Sequence, residues 1–334
     1  MNKSIKKIIE DKNYLTYFFS TAFSMSSSNI LQFVLALYIL KLTGSPVVYA
    51  SILSIIIFPR ILLTPFAGVI GDKLKRINII KTLTIFQLII MIVYSVYSNL
   101  CLELSLISVY LLVIVLEAIE VFYQAAESAI LGEIVQKDLM EEAVTLSRLD
   151  DGIVYIITPL LGALIYNRFG ISGSFILISL FLFISVLLNI FIKTPYETKK
   201  EKTQIYSFKV YIEEFTQGLN IIRDNKFARV FIVVAPMINF SFSAIFSVVI
   251  TYLFLHVFDI GEYMYGIYRA INSGVALVLP LLVLPIVKKV EPDKLLKYTS
   301  ISISFLLFLI AVSTYFGSKG NYSASIAMVW IITF

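Results

Sequence analysis

The feature that most constrains this chain is the recurrence of apolar stretches close to twenty residues long. A helix needs about 20 apolar residues to cross a bilayer's hydrocarbon core. Nine stretches have that length or nearly so: Tyr14–Leu40, Val47–Ile70, Ile79–Tyr97, Leu104–Ala129, Thr145–Tyr166, Ile171–Ile192, Val230–His256, Met264–Val287 and Leu295–Phe316. A tenth run begins near Tyr322 and is still apolar at Phe334, so the sequence is expected to stop inside a helix. Strands explain the pattern poorly. Barrel strands alternate at every second residue, and runs such as Leu111–Leu116 and Phe305–Val312 do not. The 334 residues are 59% apolar and 15% charged, against about 45–50% and about 25% in a soluble domain. That composition excludes a disordered chain and leaves a soluble enzyme too little polar surface to cover itself. The expectation is an all-α membrane protein.

The charges orient the helices. The first run is too long for a signal-peptide core and no small-residue cleavage site follows it, so it reads as a retained helix. With the N-terminus inside, the lysines and arginines gather in the inside segments. These are Lys3, Lys6, Lys7 and Lys12; then Lys73, Lys75, Arg76 and Lys81; then Lys137 and Arg148. The segment from Lys193 to Arg229 and the group Lys288, Lys289, Lys294 and Lys297 complete the set. Of 27 basic residues, only Lys41, Arg168 and Lys319 fall outside, while Arg60 and Arg269 lie within spans. This is the positive-inside pattern. The net charge of +5 therefore reports membrane orientation, with a cytoplasmic N-terminus, rather than a nucleic-acid partner.

The long inside segment divides the chain into a six-helix half (1–192), a linker (193–229) and an incomplete second half (230–334). Within the linker, Phe208, Tyr211, Ile212, Phe215, Leu219 and Ile222 recur at helical spacing between charges, as in an interfacial amphipathic helix. The halves echo one another. Ser20, Ser24, Ser28 and Gln32 in the first helix and Asn239, Ser243, Ser247 and Thr251 in the seventh are polar at every fourth position. Each set makes one stripe on a helix, suited to line a wet cavity or to bond neighbouring helices.

Charges inside spans are costly and point to function. Arg60 lies midway along the second helix. Glu117, Glu120, Gln124 and Glu127 share one face of the fourth. Arg60 is expected to pair with Glu117 or Glu120, and one of these carboxylates to take up and release a proton, or else to form a static tie between helices. Arg269 lies near a helix end, within reach of the interface. Asp150 and Asp151 read as acids placed near a helix start.

After the second span the chain reads Gly68-Val69-Ile70-Gly71-Asp72-Lys73-Leu74-Lys75-Arg76. This resembles the signature loop of the major facilitator superfamily, with Gly68, Asp72, Lys73 and Arg76 in register and Lys75 departing from it. Lys288-Lys289-Val290-Glu291-Pro292-Asp293-Lys294-Leu295 looks like its degenerate partner. Phe122-Tyr123-Gln124-Ala125-Ala126-Glu127-Ser128-Ala129 is similar to the drug- and siderophore-exporter branch, which includes macrolide efflux proteins, although that branch usually has Pro where Ala125 stands. Pro159-Leu160-Leu161-Gly162-Ala163 is similar to an antiporter element, with Thr158 and Ala163 replacing glycines. The resemblance implies a major facilitator fold of two six-helix halves and twelve helices, with nine complete and a partial tenth present here. It also implies a monomer in the cell membrane, proton-driven efflux of a small molecule by alternating access, and no bound cofactor. The residue matching Asp72 would meet an eleventh helix and lock one access state.

Other chemistries lack their residues. The sequence contains no P-loop, C-x-x-C, H-E-x-x-H or G-x-S-x-G motif. His256 is its one histidine and Cys101 its one cysteine, so neither a histidine metal cluster nor an intrachain disulfide is expected. An intramembrane enzyme would have only Ser/Glu combinations to work with, and a channel would show a repeated pore segment. An uptake carrier or a non-transporting sensor on the same scaffold are the alternatives to an exporter.

Overall fold

The computed structural model describes residues 3–100, 103–196, 245–258 and 260–287, with isolated residues between 216 and 232 and between 301 and 315. The linker amphipathic helix, the Lys288–Leu295 loop and the tenth apolar run lie outside the described residues. Within them the regular structure is helical: α1 (Lys3–Glu10), α2 (Lys12–Thr43), α3 (Pro46–Ile55), α4 (Ile57–Lys73), α5 (Arg76–Leu100), α6 (Leu106–Ile134), α7 (Met140–Phe191) and α8 (Glu262–Val287). Among the described residues, five helical segments are long and apolar enough to cross a membrane, α3 and α4 counting together as one and α7 counting once.

Local chemistry sets the boundaries. Asp11 caps α2 by accepting from the amides of Asn13 and Tyr14, and Gly44 ends it at φ 62°, a left-handed conformation that glycine adopts without cost. Ser45 and Ser105 cap α3 and α6 in the same way as Asp11. Two features add to the sequence reading. The hydrogen-bond ladder of the second span is interrupted at Ile56, ahead of Pro59, which has no N–H to offer the carbonyl of Ile55, while the backbone there stays helical (φ −58°, ψ −32°). Ahead of α2, Lys3–Glu10 forms α1, whose Ile8 is 1% exposed and belongs to one buried cluster with Ile77, Ile130 and Ile192.

The 52-residue α7 contains one non-helical residue, Gly170 (φ 64°, ψ −157°). Its contacts show that the chain reverses there. Tyr14 donates to the carbonyl of Ala143, and Phe33 lies against Gly162, so the first arm (140–169) runs parallel to α2. Ser20 meets Ser185, Phe23 meets Phe181 and Ser27 meets the carbonyl of Ile178. The second arm (171–191) is therefore antiparallel to α2. Gly170 separates the fifth and sixth spans, as a change of direction with positive φ requires. The first arm starts at Met140, five residues before the expected Thr145, with Glu141 and Glu142 in its first turn.

Helix α8 packs antiparallel to the first arm, with Gly266 over Pro159 and Ala163, Gly274 by Ile156, and Leu277 by Gly152. A Cβ on Gly266 would stand 2.5 Å from the Ala163 methyl and 2.9 Å from the Pro159 carbonyl oxygen. Small residues let the two backbones meet, as is usual where lipid removes the hydrophobic drive for helix association. The faces turned away from these contacts are apolar. Ile61 and Phe58 on α4 are 72% and 67% exposed, which suits acyl chains and would be a liability in water.

Candidate functional site: a polar cavity between the helices

The site lies where α2, α4, α5, α6 and the first arm of α7 converge. Arg60 reaches from α4 to α6, and its Nε and Nη2 lie 2.7 and 2.6 Å from Glu117 Oε1. Glu117 is 9% exposed and the arginine side chain 55%. Arg60 therefore pairs with Glu117. Glu120, one turn further on, has amides instead. Gln124 Nε2 donates to Oε1 at 3.0 Å and Gln87 Nε2 to Oε2 at 3.5 Å. Gln87 comes from α5 and is 5% exposed. Glu127 has no hydrogen bond or ion pair among the described residues, yet Glu120, Asp150 and Asp151 all act on it electrostatically.

These groups line two connected chambers. The first holds Arg60, Glu117 and Gln87 among Leu31, Leu35, Ile52, Met91 and Leu182. The second, about 500 Å³, holds Glu127, Asp150, Asp151 and Arg148 with Tyr17, Tyr123 and Tyr155. Ser28, Gln32, Glu120 and Gln124 belong to both. A third chamber opens past Asn29 and Gln32 toward the later part of the chain, where it meets Ser247, Thr251, Tyr265 and Arg269. The volume is within the range of small-molecule sites.

The expected stripe on α2 divides by function. Ser24, Ser28 and Gln32 line the chambers. Ser20 follows the other alternative for the stripe, bonding a neighbouring helix. It is 2% exposed and bonded to Ser185 and Asn189, so it ties α2 to the second arm of α7. On the later stripe, Ser247 and Thr251 face the third chamber, and Thr251 Oγ1 is 2.6 Å from the Tyr265 hydroxyl. Asn239 and Ser243 lie outside the described residues. No carboxylate lies within ion-pair distance of Arg269 among the described residues, and Arg269 borders the third chamber rather than the surface alone.

The loop after the second span is partly described. Gly71 rests its backbone near the Ala125 carbonyl, 3.8 Å from where a Cβ would stand, while Gly68 has open space around it. Arg76 Nη1 lies 2.6 Å from Glu133 Oε1, with side-chain exposures of 20% and 7%. Asp72 and Lys73 occupy the last turn of α4, and their side chains lie outside the described residues.

Asp150 and Asp151 need correction. They are not at a helix start but ten and eleven residues beyond Met140, past the first turn in which the helix dipole acts. Asp150 is 6% exposed, with no hydrogen bond or ion pair among the described residues. Asp151 lies 3.5 Å from Arg148, which is 80% exposed. Gln87 was not singled out in the sequence; its only signal was one amide in an apolar helix.

Long apolar helices around a chamber of buried ionisable groups define a multi-pass membrane protein with an internal site for a small molecule. The chain belongs to the Major Facilitator Superfamily, whose family model matches residues 17–334. Members of that family are transporters that bind small molecules within a membrane. The chain is 22% identical over 226 residues to the uncharacterized MFS-type transporter YkuC of Bacillus subtilis strain 168. The match covers 66% of this chain and 51% of that protein, so the chain spans about half the length of the curated relative it matches.

Proposed function

We propose that the protein is a proton-coupled secondary transporter that exports a drug-like or siderophore-like small molecule by alternating access through the polar cavity. The observation that carries this reading is Glu120. A carboxylate removed from water without a counter-charge is stable only when a proton or a cation joins it. Arg60 is committed to Glu117, and Glu120 has only amide donors. Glu120 is thus the group we assign to proton uptake and release, with Glu127 beside it in the same cavity. Export rather than uptake rests on the likeness of Phe122–Ala129 to exporter sequences. Asp72, Lys73 and Arg76 would gate the inner end, with Arg76 held on Glu133 in the state described here.

The test is gradient-driven flux in vesicles containing the purified protein. An imposed pH gradient is expected to drive uphill movement of a substrate, and a protonophore to stop it. Glu120→Gln is expected to reduce the gradient-driven component to that of empty vesicles while the protein still inserts and purifies normally. Full retention of uphill transport by Glu120→Gln would remove the proton role from this residue.

A further inference from the structure

We propose that the molecule held in this cavity is an organic cation whose ammonium N–H is received by Glu120 and Gln87 and whose apolar body fills the adjoining chamber. This rests on the transporter reading and adds the substrate's chemical class.

The charge balance of the cavity is the first reason. Its second chamber is lined by Glu120, Glu127, Asp150 and Asp151, with Arg148 as the one cation among the described lining residues. Arg148 is 80% exposed and directed to Asp151. Arg60 adds nothing to the balance, because Glu117 cancels it. Glu120, Glu127 and Asp150 are left without a cationic partner among the described residues. An anion entering here would meet like charge from each of these carboxyls that is ionised, a repulsion of the kind that discriminates between partners.

The second reason is independent of the acids. Gln87 is 5% exposed, lines the first chamber, and has a carbonyl oxygen with no hydrogen-bond partner. When Glu120 is ionised it only accepts hydrogen bonds, so in that state the amide nitrogen faces it and the oxygen is the atom left over. A buried acceptor left without a donor is destabilising. Turned toward the chamber that Gln87 lines, this oxygen together with Glu120 would receive a ligand N–H.

The surroundings fix the rest of the ligand. Tyr17, Tyr123 and Tyr155 line the chamber, and aromatic rings attract cations. Leu31, Leu35, Ile52, Met91 and Leu182 offer an apolar slot reached through Ser28 and Gln32. A metal ion is not indicated, since among the described residues no three acidic, histidine or cysteine side chains converge on one point.

The experiment measures binding to the complete protein in lipid nanodiscs by fluorescence polarisation, with no pH gradient. Three probes share one fluorophore: dansylcadaverine, a primary alkylammonium; its trimethylammonium derivative, with the same charge and no N–H; and dansyl-aminohexanoate, an anion. The primary ammonium is expected to bind tightest and the anion at least about a hundredfold more weakly. Gln87→Leu is expected to weaken the primary ammonium about tenfold, as loss of a hydrogen bond to a charged group should. It is expected to change the trimethyl probe by less than about twofold. Asp150→Asn should weaken both cations. Unfolding midpoints of the variants report that they are folded, and Gln87→Leu should not lower its midpoint because it also removes the orphan oxygen. Equal binding of cation and anion, no binding of either cation, or an identical response of both cations to Gln87→Leu overturns the assignment. Binding without gradient-driven flux would support the cation site and overturn the transport reading. Uphill flux of a solute by a protein that ignores all cations would do the reverse.

Discussion

Helix α6 carries two kinds of glutamate. Glu117 and Glu133 each accept an arginine at 2.6 Å, from α4 and α5 respectively. Glu120 and Glu127 lie between them on the same helix and have no cation within ion-pair distance among the described residues. The surroundings do not explain the difference, because all four carboxylates are wholly or partly buried. What separates them is the compensating charge. A helix that ties itself to its neighbours through Glu117 and Glu133 has obtained its electrostatic cross-links already. Glu120 and Glu127 carry no such cross-link, which is why the proposed function rests on them rather than on Glu117 or Glu133.

The strongest way to break this comparison is through flux. If the unpaired acids are functional and the paired ones structural, Glu120→Gln should abolish gradient-driven transport without lowering the unfolding midpoint. Glu133→Gln should lower the midpoint and, by freeing Arg76 of the inner gate, change the rate of transport while leaving its coupling to the pH gradient intact. A stable Glu133→Gln protein whose transport ignores the pH gradient, or an unstable Glu120→Gln protein, would erase the distinction.

The next effect is on stability. Arg76 and Glu133 are 20% and 7% exposed, and removing one partner of a well-buried pair costs about 3–5 kcal/mol. Arg76→Ala should therefore lower stability by roughly that amount, measured by denaturant or thermal unfolding in detergent. The Arg76→Ala/Glu133→Gln double variant should recover part of the loss, since Glu133 is then not left as an unpaired buried charge. Arg60 makes the same contact geometrically but is 55% exposed into the chamber, where water screens the pair. Arg60→Ala should cost less, about 1–2 kcal/mol. A reversed order of the two arginines would mean that burial does not grade these pairs.

How much of this could be read from the sequence depends on distance along the chain. Helix existence was legible, because twenty apolar residues have few other folds. Arg60 and the Glu117 face could be singled out because a charge inside an apolar run is conspicuous. The break at Ile56 was carried by Pro59, which hydropathy alone treats as neutral. Asp150 was misplaced because the chain upstream, from Met140 to Leu146, is too polar to count as a span, although it is helical. Ser20 and Ser24 are one turn apart and equivalent in pattern. Only packing shows that the second arm of α7 covers Ser20 while the cavity takes Ser24. The Gln87 contact joins residues 33 positions apart on different helices, which no periodicity encodes.

The smallest effect sharpens the comparison at its exposed limit. Arg148 is 80% exposed and lies 3.5 Å from Asp151, three residues along the same helix. Exposed pairs of this kind contribute about 0–1 kcal/mol, so Arg148→Ala should change the unfolding free energy by less than about 0.5 kcal/mol. The change should vanish in high salt, where the Debye length falls to about 3 Å at 1 M. The stability losses for Arg76, Arg60 and Arg148 would then fall in the order of their burial. Arg148→Ala should also have a consequence of opposite sign for the cavity. It removes the one cation lining the acidic chamber and leaves Asp151 uncompensated. Affinity for a cationic probe should rise slightly at low salt, by about twofold, while that for the anionic probe falls. A stability loss as large as that of Arg76→Ala would make Arg148 a third structural tie, and the acidic chamber would no longer be the part of the protein that lacks one.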